Sequence, residues 1–257
     1  LKDIPLFYKR YGISTDEFVA RVKAFMPFDI VLITSIMSYW YLGVQKAVEI
    51  IRDIDKNAPI ILGGIYATLY PEHAAINSGA DYIYRGIIGK NLHFSIYTFG
   101  YKLRKKREPM AYCRLGLYEK YPFAPILTTT GCPFNCTYCA SKILSNEFKK
   151  IPLETVINEI LELYKMGVRD FAFYDDALLF DADNHIKLII KGIINNKLGV
   201  RLHTPNGIHA RYIDDEIAYL MKKANFETIR FGFETVNIKR QIETGGKVEN
   251  KDLTKAI

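Results

Sequence analysis

From Pro125 onward the chain repeats one pattern four times: a short apolar run, a polar ending, and a longer stretch whose apolar residues recur at helical spacing. Short apolar runs of this kind form buried parallel strands, and the stretches between them predict helices. The predicted strands are Ile126 to Thr129, Phe171 to Tyr174, Val200 to Thr204 and Thr228 to Phe233. Four successive strand–helix units predict part of a TIM-type (β/α) barrel over residues 125–257.

The first 90 residues show the same alternation on a smaller scale. Three apolar runs are separated by stretches with helical spacing, such as the stripe Val44, Ala47, Val48 and Ile51. The predicted strands are Asp29 to Thr34, Pro59 to Leu62 and Asp81 to Arg85. This order is typical of a doubly wound, Rossmann-like sheet, so residues 1–90 are predicted to form a separate α/β domain.

Two local features complete this organisation. Ser14 to Glu17 reads as a capping box, and it opens a predicted helix whose Phe18, Val22 and Phe25 share one face. Residues 91–124 have no clear period and are interpreted as an interdomain linker. The chain is expected to be truncated at both ends, because it starts at Leu1 and stops inside an apparent helix.

Three of the four cysteines fall within eight positions, at the spacing Cys132-x-x-x-Cys136-x-x-Cys139. One loop can thus present three thiolates together, and thiolates are the ligands that iron–sulfur clusters select. A structural zinc site is the main alternative, but it is normally closed by four ligands, and Cys113 lies 19 residues upstream of Cys132. A disulfide would leave one of the three unpaired. The spacing therefore favours a 4Fe-4S cluster with one open iron.

The stretch Cys132 to Cys139, with Tyr138 immediately before the last cysteine, resembles the signature of the radical S-adenosylmethionine (radical SAM) superfamily. The resemblance implies that the open iron binds S-adenosylmethionine and that an electron from the cluster cleaves its sulfonium to a deoxyadenosyl radical. It also implies an electron donor such as flavodoxin or ferredoxin. The family's barrel has six strand–helix units, so we expect this chain to hold the first four.

Polar residues close the predicted barrel strands, at the end where such barrels carry their functional groups. The alternative for each is that it caps the following helix, which is the assignment made for Asp183 and Asp214. The strand endings are Asp175, Asp176, Asn206 with His209 and Arg211 just beyond it, and Glu234.

Two of these endings carry a further resemblance. The Phe-Tyr-Asp-Asp and Gly-Phe-Glu-Thr stretches resemble family strand ends that contact the amino group and ribose of S-adenosylmethionine, which implies those roles for Asp175 and Glu234. Arg211 is a candidate partner for the carboxylate, because a guanidinium binds that group in a fork. The predicted S-adenosylmethionine residues are Phe134, Tyr138, Asp175, Asp176, Asn206, Arg211 and Glu234.

The strand ends of residues 1–90 are rich in hydroxyl, aromatic and glycine residues. Adjacent glycines allow close approach of a flat ligand, although they also turn a chain, and the aromatics could pack in a core. The stretch Gly63 to Thr68 resembles the Gly-Gly-x-x-Ala-Thr loop of the cobalamin-binding domain that precedes the barrel in one group of radical SAM enzymes. The predicted cobalamin residues are Thr34, Ser35, Tyr39, Gly63, Gly64, Tyr66, Thr68 and Gly86.

The sequence departs from that domain at two points. No Asp-x-His-x-x-Gly supplies an axial histidine, so a corrinoid is expected to lack a protein imidazole on its lower face. Ile87 to Lys90 stands where the family has Gly-x-Glu. The resemblance further implies a first strand and helix before Leu1, and a corrinoid whose upper face looks toward the cluster.

Composition argues against several other classes. The chain is 49% apolar and 25% charged, with no long apolar run and no N-terminal signal peptide, so a soluble cytoplasmic protein is expected. The net charge is +7, but the basic residues cluster only at Lys102 to Arg107, a run typical of a solvated linker. His73, His93 and His185 are interpreted as ordinary surface or packing residues.

The sequence therefore predicts a cobalamin-dependent radical SAM methyltransferase acting on an unactivated carbon of a small molecule, with neither membrane nor nucleic acid as partner. One alternative is a radical enzyme that modifies RNA, with Lys102 to Arg107 on the phosphates. The related methylthiotransferases carry three further N-terminal cysteines, and this chain has none before Cys113. Another alternative is a non-catalytic carrier of the corrinoid or cluster.

Overall fold

The computed structural model describes residues 12–86, 96–101, 121–145 and 147–257. The chain divides into two units, residues 1–104 and residues 105–257, and the boundary falls inside the predicted linker. Some features singled out in the sequence lie outside the described residues: Cys113, His93, the segment Ile87 to Lys90 and the basic run Lys102 to Arg107.

The N-terminal unit contains a parallel three-stranded sheet in the order β1-β2-β3. Its strands are β1 (Val31–Ser35), β2 (Ile60–Gly63) and β3 (Tyr82–Ile83). Its helices are α1 (Thr15–Ala24), α2 (Tyr41–Ile54), α3 (Gly64–Leu69) and α4 (Pro71–Asn77). The predicted doubly wound alternation of strands and helices is confirmed.

The core of this unit follows from the helical stripe on α2. Val44, Val48 and Ile51 are buried and pack in one cluster with Ile60 and Leu62 of β2. The Ser14 hydroxyl accepts a hydrogen bond from the Glu17 N–H (3.1 Å) and so caps α1. Only this half of the predicted capping box forms, because the Glu17 carboxylate pairs with Arg21 instead.

Two details of the prediction for this unit were wrong. The first strand is not buried on both faces, because it alternates and its Leu32 is 54% exposed. Phe25 does not share the buried face of α1, because the helix ends at Ala24 and the Phe25 side chain is 79% exposed.

The C-terminal unit is built on a four-stranded parallel sheet in the order β4-β7-β8-β9, beside a two-stranded antiparallel ribbon of β5 and β6. The strands are β4 (Ala124–Ile126), β5 (Thr129–Thr130), β6 (Lys149–Lys150), β7 (Asp170–Phe173), β8 (Arg201–His203) and β9 (Phe226–Thr228). The helices are α5 (Ser141–Leu144), α6 (Leu153–Lys165), α7 (Ile186–Asn195), α8 (Asp215–Lys223), α9 (Ile238–Glu243) and α10 (Asn250–Ala256). The four parallel strand–helix units expected of a partial barrel are present.

Two strands differ from their predicted bounds by more than one residue at both ends. The first parallel strand ends at Ile126, because Thr129 leaves the sheet to pair with Lys150 in the antiparallel ribbon. The last regular strand ends at Thr228 rather than Phe233. Beyond it, only an isolated bridge joins Phe231 to Ile208.

One face of the parallel sheet packs against helices and the other does not share that core. Phe171 and Leu202 belong to the helix-side cluster, with Ile160 of α6 and Ile189 of α7. The opposite face, called here the inner face, carries the residues that alternate with these core residues along each strand, such as His203. None of the described helices is long and apolar enough to cross a membrane.

The last strand, β9, contains a bulge that shifts its register with β8 by one residue. Phe226 pairs with Leu202, but Thr228 pairs with His203, so Glu227 is an extra residue in β9. Phe226 consequently stacks on Phe173 on the helix side, whereas Thr228 lies on the inner face with His203.

Candidate functional site

The cysteine loop leaves the carboxyl end of β4, passes through the short strand β5, and turns at Gly131. Gly131 has φ +72°, and a Cβ there would lie 2.3 Å from the Glu147 carbonyl oxygen. Only glycine fits a left-handed backbone at such a close approach. The first cysteine, Cys132, follows directly, so the ribbon of β5 and β6 fixes where the loop begins.

A buried carboxylate binds the start of this loop. Asp175 is 3% exposed, and its Oδ1 accepts hydrogen bonds from the N–H groups of Thr128 (2.9 Å) and Thr129 (2.5 Å). The same oxygen accepts from the hydroxyls of Thr128 (2.8 Å) and Thr129 (2.7 Å). His185 acts from the other side: its Nε2 donates to the Thr128 carbonyl at 2.8 Å. These four residues are called the Asp175 clamp.

This geometry changes the role inferred for Asp175. Its Oδ1 serves four protein donors, and its Oδ2 is buried without a partner. Solvent does not reach either oxygen, so S-adenosylmethionine would reach neither without movement of the protein. Burial raises the pKa of Asp175, although the bonds from both threonines oppose that rise. The resemblance-based contact with S-adenosylmethionine stays a prediction, whereas the bonds to Thr128 and Thr129 show that Asp175 holds the start of the loop.

His185 is likewise a fixed structural residue rather than a surface histidine. It is 4% exposed, and burial lowers its pKa. The two aspartates assigned to helix capping have different roles. Asp214 caps α8 by accepting from the Ile217 N–H (2.7 Å), whereas Asp183 pairs with the buried Lys187 (2.7 Å).

The three cysteines of the loop are free thiols, with Cys132 and Cys136 partly buried and Cys139 exposed. The Cys139 sulfur accepts from the N–H of Ser141 at 3.4 Å and lies 3.2 Å from the Ser141 hydroxyl. Burial raises the pKa of Cys132, opposed by the Phe134 N–H and reinforced by the Asp176 carboxylate. The loop thus offers three thiols that no disulfide engages.

Within the described part of the chain, no three histidine, cysteine or acidic side chains converge on a single ion position. That geometry disfavours a mononuclear zinc site, which needs its ligands around one atom. A four-iron cluster spreads its thiolates over different irons and has no such requirement. The donor set, three thiols and a backbone N–H aimed at sulfur, fits a cluster of that kind.

A glycine turn supports the back of the loop. A Cβ on Gly245 would lie 3.0 Å from the Asn135 carbonyl oxygen and 3.2 Å from the Cys136 Cα. Arg211 holds the turn by donating to the Gly246 carbonyl (2.8 Å), and its Nε lies 3.6 Å from Asp252. Arg211 was predicted to bind the carboxylate of S-adenosylmethionine, but its guanidinium is engaged within the protein.

An ion pair lies beside Tyr138, the residue that precedes the third cysteine. Lys247 Nζ is 2.9 Å from Glu234 Oε1 and 5.6 Å from the centre of the Tyr138 ring. Lys247 lowers the pKa of Glu234, and burial raises the pKa of Tyr138 to about 12. Lys247 was missed in the sequence because it follows no predicted strand. Its position after the Gly245-Gly246 pair is the signal that was available.

The remaining predicted residues are arranged around the same loop. Phe134 packs its ring on His209 at 4.6 Å between centroids, and His209 is buried. Asn206 donates from Nδ2 to the Tyr174 carbonyl at 2.8 Å, which leaves its carbonyl oxygen as an acceptor. Asp176 is exposed, unlike its neighbour Asp175.

The predicted cobalamin residues of the N-terminal unit divide into two groups. The first group makes contacts within the protein and consists of Ser35, Gly64, Tyr66 and Thr68. The Ser35 hydroxyl donates to Met37 O (2.7 Å), and the Tyr66 hydroxyl is 2.8 Å from His73 Nδ1. The Thr68 hydroxyl donates to Gly64 O (2.7 Å). These residues shape the strand ends without offering a free surface.

Gly64 also has an internal reason to be glycine. Its φ is +87°, and a Cβ would lie 2.5 Å from both Ser35 O and Thr34 Oγ1. Gly86 has the same φ, but a Cβ there would meet nothing within 4 Å. Thr34 and Tyr39 are exposed, Tyr39 at 69%. The open part of this edge is therefore Thr34, Tyr39 and Gly86, whereas a Cβ on Gly63 would be in contact with Tyr84 at 3.8 Å.

Two family sequence models match the chain. The radical SAM superfamily model matches residues 126–257, half of the chain, and the B12 binding domain model matches residues 8–87. The chain belongs to the radical SAM superfamily, and it carries the B12-binding type of domain ahead of the barrel.

Two curated relatives bear methyltransferase names. "Uncharacterized methyltransferase PH0819" of Pyrococcus horikoshii is 24% identical, with 84% of this chain and 53% of the relative covered. "Bacteriochlorophyllide d C-12(1)-methyltransferase" of Chlorobaculum tepidum is 31% identical, with 44% of this chain and 25% of the relative covered. The chain thus spans about half or less of these relatives.

A solved structure shares the fold. The radical S-adenosylmethionine methyltransferase TsrM from Kitasatospora setae, with cobalamin and a [4Fe-4S] cluster bound, aligns with a TM-score of 0.75. The alignment covers 94% of this chain and 58% of TsrM at 16% identity, which establishes similarity of fold.

Proposed function

We propose that this chain is the corrinoid-binding and cluster-binding part of a cobalamin-dependent radical SAM methyltransferase that acts on an unactivated carbon of a small molecule. The observation that carries the proposal is the loop of three free thiols, held from both sides, with a charged pair beside it. When bound, the cluster supplies the electron that cleaves the sulfonium of S-adenosylmethionine, and the corrinoid carries the methyl group. The methyltransferase names of the relatives support this choice.

Cys132, Cys136 and Cys139 would hold the cluster. Thiolates gather negative charge, and the N–H of Ser141 directed at the Cys139 sulfur stabilises part of it. Phe134, packed on His209, provides an apolar wall that keeps water from the loop. The Asp175 clamp and the Gly245-Gly246 turn hold the backbone so that the thiols need little rearrangement on binding.

Lys247 and Glu234 match the charged end of S-adenosylmethionine. Its α-amino group is a cation suited to Glu234, and its carboxylate is an anion suited to Lys247, which lie 2.9 Å apart. The lowered pKa of Glu234 keeps that carboxylate ionised at neutral pH. Tyr138, Phe134, Asp176 and the free oxygen of Asn206 complete the proposed binding set.

The corrinoid is proposed to lie over the open strand ends of the N-terminal unit. Gly86 leaves open space where a side chain would stand, and Thr34 and Tyr39 present a hydroxyl and an exposed ring. Ser35, Gly64, Tyr66 and Thr68 maintain these loops rather than contact the ligand.

The test is anaerobic purification and reconstitution, followed by the ultraviolet–visible spectrum, iron content and formation of deoxyadenosine from S-adenosylmethionine. Cys136→Ala should remove the cluster and the deoxyadenosine, whereas Cys113→Ala, the matched thiol outside the loop, should keep both. Full iron content in Cys136→Ala would contradict the cluster assignment. Protein that takes up no cobalamin would contradict the corrinoid assignment. Protein that binds cobalamin but forms no deoxyadenosine would favour the alternative of a non-catalytic carrier.

A further inference from the structure

The inner face of the parallel sheet carries a groove of about 400 Å³ that the proposed cofactor contacts do not use. It runs across the strands, from Phe123 before β4 to Arg230 beyond β9, and it includes residues of all four strands or their ends. Helices do not share this face, because the helix-side core takes the residues of opposite parity.

Flat apolar groups form the walls of the groove. Phe123 is 50% exposed and Tyr174 is 41% exposed, and Pro205 lies in the same lining. Within the described part of the chain, neither ring packs against another ring. Exposed aromatic rings with no ring partner favour a flat ligand that can stack on them.

The floor of the groove is polar but already satisfied. His203 Nε2 donates to Asp170 Oδ1 (3.0 Å), so Nδ1 is the acceptor for the Thr228 hydroxyl (3.2 Å). Arg201 pairs with the same Asp170, its Nε at 2.6 Å from Oδ1. The Asp170 carboxylate is therefore paired with the Arg201 guanidinium and leaves no unpaired charge in the groove.

Arg230 is different. Its side chain is exposed at the rim of the groove, and it forms no ion pair with any side chain in the described ranges. Its backbone is fixed, because the Arg230 N–H donates to Thr204 Oγ1 (3.1 Å). A guanidinium binds a carboxylate through two parallel hydrogen bonds, so this rim suits an anion of that shape.

We propose that the groove binds a flat aromatic or heteroaromatic carboxylate, with its ring on Phe123, Tyr174 and Pro205 and its carboxylate on Arg230. This assignment rests on the proposed function, because such a molecule would be the methyl acceptor of the same barrel. It adds the chemical class of the substrate.

The test is calorimetric titration of the cluster-loaded protein with three probes. Indole-3-carboxylate has both ring and charge, indole-3-carboxamide has the ring alone, and cyclohexanecarboxylate has the charge alone. The first should bind at least about tenfold more tightly than the carboxamide, the change expected when one charged hydrogen-bond partner is lost. It should also bind more tightly than cyclohexanecarboxylate, whose saturated ring cannot stack on the aromatic walls. Equal affinity for the carboxamide or for cyclohexanecarboxylate would overturn the assignment, as would binding of none.

Variants locate the site. Arg230→Gln should lower the affinity for indole-3-carboxylate at least about tenfold and leave the affinity for the carboxamide unchanged. Arg230→Lys keeps the charge but loses the fork, and should fall between Arg230→Gln and wild type. Lys222→Gln is the matched control, because it removes a charge from α8 on the other side of the sheet. Unchanged affinity in folded Arg230→Gln would refute the site.

Iron content and deoxyadenosine formation, measured on the same preparations, separate the two proposals. Protein that cleaves S-adenosylmethionine yet binds none of the three probes keeps the proposed function and loses the substrate class. Protein that binds indole-3-carboxylate through Arg230 without cleaving S-adenosylmethionine has the groove site and loses the proposed function.

Discussion

Replacing Asp175 by leucine removes the acceptor of the Asp175 clamp and keeps a side chain that branches at Cγ. Four donors of Thr128 and Thr129 lose their partner. A buried donor left unsatisfied costs roughly 1–3 kcal/mol. The two hydroxyls can rotate to other acceptors, so the two fixed N–H groups set a floor of about 2 kcal/mol, and all four donors give about 4 kcal/mol at the lower bound.

Asparagine at the same position should be far milder. Its amide oxygen can replace Oδ1 as the acceptor, and only the charge is lost. Burial raises the pKa of Asp175 despite the four bonds, so the site as a whole disfavours the charge. We therefore expect Asp175→Asn to cost under about 2 kcal/mol, the scale of one net hydrogen bond.

Urea unfolding of metal-free protein, followed by circular dichroism, measures these free energies of unfolding. Iron content and electron paramagnetic resonance of the reduced cluster show whether the cysteine loop still binds its cluster. Asp175→Leu should lose at least about 2 kcal/mol and most of its iron, whereas Asp175→Asn should keep a wild-type spectrum. Asp176→Leu is the matched control, because this neighbouring exposed carboxylate has no part in the clamp. If Asp175→Leu does not fold, Thr128→Val tests the clamp by removing one hydroxyl. Wild-type stability and iron content in folded Asp175→Leu would refute the reasoning.

Three further predictions concern other residues. Lys247→Met should weaken S-adenosylmethionine binding by roughly 1.5–3 kcal/mol in calorimetry of cluster-loaded protein, as should Glu234→Ala, and equal affinity would remove both from the site. Gly64 and Gly86 share φ +87°, but only at Gly64 would an added Cβ lie 2.5 Å from a backbone atom, the Ser35 carbonyl oxygen. The unfolding temperature of Gly64→Ala should therefore fall much further than that of Gly86→Ala, and equal falls in the two variants would contradict the contact. Burial, with Lys247 and Arg211 nearby, lowers the pKa of His209 to about 4. Because unfolded histidine takes up a proton near pH 6.5 and folded His209 does not until about pH 4, its contribution to stability should fall by roughly 3 kcal/mol as pH drops across that window. In urea unfolding, His209→Phe should reduce this slope and leave the part that comes from His185, whose pKa burial also lowers.

Much of the architecture was predictable because it depends on local pattern. Apolar runs and helical stripes place the parallel strands and helices of both units, and the cysteine spacing specifies a three-thiol loop without any contact information. The Ser14 cap was also readable, since a cap is formed by neighbours in the chain.

The contacts that decide individual roles were not readable. Asp175 and Asp176 are adjacent and chemically identical, and the turn after β7 sends one inward and the other to solvent. The inward one binds Thr128, 47 positions away in the chain, and no local pattern encodes that pairing. Arg211 and Gly64 show the same limit, because their partners, Gly246 and Ser35, are set by tertiary packing.

The extra residue Glu227 in β9 has a consequence for how substrate preference can change. Residues 226, 228 and 230 would point the same way in a regular strand, and Phe226 packs with the helix-side core. The bulge reverses the parity after Phe226, which brings Thr228 and Arg230 to the groove and returns Phe231 to the core. Deleting Glu227 would place Thr228 directly after Phe226, so the pairs Phe226–Leu202 and Thr228–His203 would remain and Arg230 would still face the groove. A change of ligand preference in the groove therefore requires replacement of its lining side chains, because removal of the extra residue does not exchange the faces of β9.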